Sequence, residues 1–99
     1  VNSDTANVGP VLNSALVEAG SGRPRQTLYV LHGIFGRGRN WAAVIRRLAA
    51  HREDWRGVLV DLRGHGDSPS FAFPHTVGEA ARDLVRLAAR RDLPVDAVL

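Results

Sequence analysis

Cysteine and lysine are both absent from the 99 residues. Without cysteine there is no disulfide framework, no zinc–thiolate site and no cysteine nucleophile. Without lysine all 13 basic residues are arginine, and the isoelectric point of about 11.0 follows in part from a side chain that does not titrate in range. Also missing is any apolar run near the ~18 residues that a membrane-spanning helix needs. The polar stretch Val1–Pro10 lacks the charged-then-apolar order of a signal peptide. No Gly-Lys-Ser/Thr is present, which removes a phosphate-cradling P-loop. His, Asp and Glu do not fall at zinc-ligand spacing, so no metal and no other cofactor is expected.

What is present is ordinary for a soluble globular protein, with 44% apolar and 23% charged residues. The net charge is +3. A nucleic-acid partner would call for arginines gathered on one face beside aromatic platforms. Here they are scattered and interleaved with Glu53, Asp54, Glu79 and Asp83, the pattern of solvated helix faces. No nucleic-acid partner and no membrane span are expected. The expected location is the cytoplasm, or an organelle stroma or matrix after loss of a transit peptide.

Residues 1–26 read as a polar leader with a short outer strand somewhere in Val11–Ala19, closed by the turn-rich Gly20, Ser21, Gly22 and Pro24. Residues 27–99 alternate strand, helix, strand, helix, strand. Thr27–Leu31 and Gly57–Leu62 are short apolar runs without strict alternation, as in parallel strands covered on both faces. Between them Trp41, Val44, Ile45, Leu48 and Ala49 recur at helical spacing, with Asn40 as the expected N-cap. Thr76 and Glu79 have capping-box spacing, and the helix they open puts Val77, Ala80, Ala81, Leu84, Leu87 and Ala88 on one side. Val95–Leu99 begins a third strand. The expected class is α/β, a parallel sheet with right-handed crossovers. Trp41 is expected to pack on the sheet and Trp55 to cover the N-terminal end of the second strand. His51 and His75 are expected at the surface.

Two glycine-rich loops leave the C-terminal ends of the first two parallel strands. The first reads His32-Gly33-Ile34-Phe35-Gly36, with Gly33 and Gly36 expected to allow unusual backbone angles. The second reads Asp61-Leu62-Arg63-Gly64-His65-Gly66-Asp67-Ser68-Pro69, about 28 residues after Gly33. There Asp61 is expected to pair with Arg63 or to cap loop N–H groups, Gly64 and Gly66 to make the turn, and Ser68 to bond the local backbone. Together the loops resemble the N-terminal pattern of α/β-hydrolases, closest to the small esterase or acyl-hydrolase branch. The resemblance runs from Leu28 to Leu99, and Pro74-His75-Thr76-Val77 is similar to plant and bacterial members.

The resemblance implies a partial α/β-hydrolase sheet, with the strand at Thr27 between those at Val58 and Val95. It implies an oxyanion hole at the N–H of Ile34, with Phe35 lining the acyl pocket and His32 orienting the loop rather than acting as base. It also implies a Gly-x-Ser-x-Gly nucleophile segment after a strand like Val95–Leu99, with the acid and the His later still. None of these three lies in the chain, and Ser14, Ser21, Ser68 and Ser70 are not on such a turn. The expectation is a piece cut in mid-strand, inactive and poorly stable alone, in which the strands at Val58 and Val95 both need neighbours from a complementary C-terminal segment or chain. The parent would act on a small-molecule acyl substrate. The rival reading is a dinucleotide-binding domain. Gly33, Gly36 and Gly38 would line its phosphate loop and Asp61, about 23 residues on, would hold a ribose. A non-catalytic half-domain is the third.

Overall fold

The computed structural model describes residues 10–19, 23–33, 36–68 and 71–99. The expected leader at Val1–Gly9 and turn residues Gly20, Ser21 and Gly22 lie outside them, as do Ile34, Phe35, Pro69 and Ser70.

Four strands form one mixed sheet: β1 (Ser14–Val17), β2 (Gln26–Val30), β3 (Trp55–Val60) and β4 (Ala97–Val98), in the order β1-β3-β2-β4. β2 runs parallel to β3, with Tyr29 opposite Val58, and parallel to β4, with Leu28 opposite Ala97. The expected order, β2 between its two successors, is therefore present. β1 pairs antiparallel with β3, Leu16 opposite Val58. This corrects the expectation that β3 needs a neighbour from outside the chain, because the segment before β2 supplies it.

Strand alternation divides the core in two. Tyr29, Val58 and Val60 join Leu12 and Leu87 on one face. Val30 and Leu59 join Ile45 on the other, with Leu28 and Trp41 packed against them. Each face carries one helix, α1 (Ala42–His51) or α2 (Val77–Arg91), which is why the strands read as continuous apolar runs. On the α2 face the buried Tyr29 hydroxyl donates to Leu93 O at 2.8 Å and so holds the turn into β4. Burial there raises its pKa against the pull of Arg91 and Arg56.

α1 is entered through a 3-10 turn, Gly38–Trp41. Asn40 is thus not the helix N-cap. Its Oδ1 accepts from Arg37 N–H at 2.9 Å and closes the turn before the helix. The buried row of α1 is also narrower than expected. Ile45 and Ala49 are covered, whereas Val44 and Leu48 are 56% and 41% exposed. A helix lying flat on a sheet presents one row, and Gly57 lets that row come close. A Cβ on Gly57 would stand 2.5 Å from Ile45 Cγ2. Trp55 is the first residue of β3 rather than a cover placed before it.

Thr76 caps α2, its Oγ1 accepting from Glu79 N–H at 3.1 Å. Thr76→Ala is expected to lower the unfolding free energy by about 1 kcal/mol, read as a shift in the urea midpoint. The buried stripe of α2 differs from the expected one. Val77 stands in solvent and Ala81 is exposed, while Asp83, expected on a solvated face, is buried beside Leu87. Arg63 draws Asp83 inward, and the stripe turns with it.

Candidate functional site

Both glycine-rich loops leave the same end of the sheet. Beyond β2 the parallel ladder continues, with Leu31 N–H donating to Leu99 O and Leu99 N–H to Tyr29 O, each at 2.9 Å. The start of the first loop therefore lies beside the continuation of β4. His32 is buried and spans the two loops. Its Nε2 accepts from Leu62 N–H at 3.0 Å, so the proton sits on Nδ1, which donates to Gly33 O at 2.7 Å. Its ring stands 4.9 Å from that of His65. The ring thus ties the start of the first loop to the second. His65 Nδ1 in turn donates to Arg63 O at 2.9 Å.

Glycine roles differ between the loops. Neither Gly33 nor Gly36 has positive φ, which corrects the expected need for unusual angles there. Gly36 sits in a tight space instead, since a Cβ would lie 3.0 Å from Gly33 O and 3.2 Å from His32 Cβ and those neighbours would have to give by a few tenths of an ångström. In the second loop Gly64 and Gly66 do adopt positive φ, 71° and 52°, within the turns closed by His65 N–H to Leu62 O and Ser68 N–H to His65 O. A side chain on Gly66 would also run into the Asp61 carboxylate.

Asp61 is the hub. Its carboxylate accepts from Gly38 N–H at 2.7 Å, Asp67 N–H at 2.9 Å and Asn13 Nδ2 at 3.0 Å. Burial acts to raise its pKa. The bonds from Asp67, Asn13 and Gly38 outweigh that and hold the carboxyl below its ordinary value. Of the two expected roles, capping loop N–H groups is the one found. Arg63 does not pair with Asp61. It makes a fork to Asp83, Nε to Oδ2 at 2.7 Å and NH2 to Oδ1 at 2.9 Å. Its remaining nitrogen, NH1, donates to Ala72 O, Pro74 O and His75 Nδ1 at 3.2, 3.1 and 3.1 Å, and its guanidinium stacks 4.9 Å from the Phe71 ring. The bond to Asp83 raises the Arg63 pKa further, against burial. His75 is exposed, as expected, yet it is part of this loop anchor.

The Ser68 hydroxyl donates to Asp61 O and accepts from Asn13 N–H at 2.9 Å. Both bonds are structural. The second reaches back 55 residues, farther than the local bonding expected. Among the described residues no serine hydroxyl is bonded to a histidine ring, and no group of His, Asp and Glu is placed to hold a metal. No described helix is long and apolar enough to cross a membrane. The dinucleotide reading loses its acid here, because both oxygens of Asp61 are occupied by protein donors. It also loses its third glycine. Gly38 is packed on β3, where a Cβ would stand 2.9 Å from Leu59 C and from Val60 N and O. Sequence reasoning missed Asn13 and Asp83. The available signal for Asp83 was its place on the apolar stripe of α2; for Asn13 there was none.

Known proteins agree with this geometry. The model of the alpha/beta hydrolase fold matches residues 26–99. A marine microorganism esterase, 27% identical, superposes with a TM-score of 0.71 over 91% of this chain and 31% of its own. An esterase (EaEST) from Exiguobacterium antarcticum, 22% identical, is alike in fold, with a TM-score of 0.71 over 90% of this chain and 31% of its own. The chain thus spans under a third of the length of either esterase. No curated protein matches its sequence. With the strand order and both loops in agreement with the family match, the chain belongs to the α/β-hydrolase-fold family.

Proposed function

We propose that the whole protein is a serine hydrolase acting on a carboxylic ester or related acyl substrate. The observation that carries this reading is the Leu31–Leu99 bond at the head of the β2–β4 ladder. A segment continuing from Leu99 would start beside the Leu31–His32–Gly33 end of the first loop. A serine on a sharp turn in such a segment would lie near the start of that loop, at the switch point of the strand order. The serine attacks the acyl carbonyl, a later histidine takes its proton, and an acid orients that histidine. The Ile34 N–H and the N–H after the serine stabilise the oxyanion, each such donor worth roughly 3 kcal/mol in the transition state. Phe35 lines the acyl side, and the substrate is a small molecule. The esterase neighbours support the same class.

The test is hydrolysis of a panel of p-nitrophenyl esters by the whole protein and by its variant with the Gly-x-Ser-x-Gly serine changed to alanine. The variant is expected to lose activity by about 10⁶-fold, as when comparable nucleophiles are removed. Hydrolysis that survives the change would end the proposal.

A further inference from the structure

Asn13 lies outside the family match at 26–99, in the segment read from sequence as a leader and outer strand. Three of its hydrogen-bonding groups engage the second loop. Nδ2 donates to Asp61 Oδ2 at 3.0 Å, the backbone N–H donates to Ser68 Oγ at 2.9 Å, and the backbone carbonyl accepts from Asp61 N–H at 2.9 Å. The other oxygen of Asp61 holds Gly38 N–H, two residues beyond Gly36 of the first loop. One carboxylate of the second loop therefore connects the N-terminal segment to the turn that follows the first loop, and the Asn13 amide is one of the three neutral donors, with Gly38 N–H and Asp67 N–H, that fix how this carboxylate is turned.

We infer that Asn13 is a positioning residue of the candidate site, acting through Asp61 on the turn at Gly38 that leads out of the first loop. The inference rests on the acyl-hydrolase reading. An amide is the suitable group at this point. It donates to a carboxylate without adding charge, and an aspartate in its place would set two carboxylates about 3 Å apart, where both cannot comfortably ionise. The charged neighbours are Asp61, Asp67, Arg37 and Arg39 in one hollow beside Asn13, and Arg90 and Arg91 in the other. The acids raise the pKa of a carboxyl at this position and the arginines lower it.

The experiment measures kcat and KM on a p-nitrophenyl ester for the whole protein, Asn13→Asp and Asn13→Ala. The range is about pH 5 to about pH 8, with circular dichroism at each pH to show that all three are folded. At the upper end Asn13→Asp is expected to lose about tenfold or more in kcat with little change in KM. Its ratio to the wild type climbs back as pH falls, because the new carboxyl, once protonated, donates to Asp61 as the amide does. Asn13→Ala has nothing to titrate, so its lowered ratio stays flat. A flat ratio for Asn13→Asp, or wild-type kcat in Asn13→Ala, overturns the inference. If the wild type hydrolyses no ester, the acyl-hydrolase reading fails. The anchoring by Asn13 is then decided by amide hydrogen exchange at Gly38 and Asp67, faster in Asn13→Ala if it holds and unchanged if it does not.

Discussion

Replacing Arg63 by methionine is expected to lower the urea midpoint further than Thr76→Ala does, because it leaves the buried partner of an ion pair alone. The cost arises at Asp83, which is 2% exposed and sits on the inner stripe of α2. Without the Arg63 fork, its remaining cation is Arg86, 3.7 Å away and beyond hydrogen-bonding distance. The carboxylate would be left in a low-dielectric site with weak compensation. The substitution also frees Ala72 O, Pro74 O and His75 Nδ1, so the segment leading into α2 loses its anchor. Urea unfolding provides the measurement. The double variant Arg63→Met/Asp83→Leu is expected to recover most of the loss, because a packed apolar pair has no desolvation penalty to offset. Equal midpoints for the single and double variants would show that the stranded charge is not the cause.

Asp83 also shows where reading the sequence stops. The buried strands were legible because runs such as Leu28–Val30 and Val58–Val60 have one physical explanation, burial on both faces. The Thr76 cap was legible because the side chain and the N–H it accepts from are three residues apart, and local spacing is what a sequence displays. The two loops were legible as motifs. The stripe position of Asp83 hints at burial, but nothing in the sequence names the guanidinium 20 residues away that draws it in. Asp83 was therefore grouped with Glu79 and the arginines on a solvated face. Asn13 meets Asp61 across 48 residues, through a pairing of β1 with β3 that the four residues Ser14–Val17 do not announce. Gly38 and Gly57 are required by the approach of a turn to β3 and of Ile45 to the sheet, distances that exist only after folding. The expectation that β3 lacked a neighbour failed for the same reason.

Asp61→Ala is expected to cost about 3 kcal/mol or more, because three donors lose one acceptor group and each buried donor left unsatisfied costs roughly 1–3 kcal/mol. Those donors are Gly38 N–H, Asp67 N–H and Asn13 Nδ2. Asparagine will not restore the site. It offers one acceptor oxygen where the aspartate offers two, and its NH2 would face two of the donors. The same carboxylate gives the protein an acid limit. Burial raises the Asp61 pKa, the hydrogen bonds lower it, and the net folded value is depressed. The unfolded chain therefore takes up this proton first as pH falls. The stabilisation is fully present above the ordinary aspartate value of about 3.9 and drains away as pH falls below it through the lower folded value. In urea unfolding between about pH 5 and about pH 2, the wild type is expected to lose stability steeply with acid. Asp61→Asn, less stable at neutral pH, should show a shallower acid limb, so that the two curves converge. Parallel curves across that window would assign the acid loss to other carboxylates, such as Asp54, whose bond to Arg52 also lowers its pKa, and would remove Asp61 as the source of the acid limit.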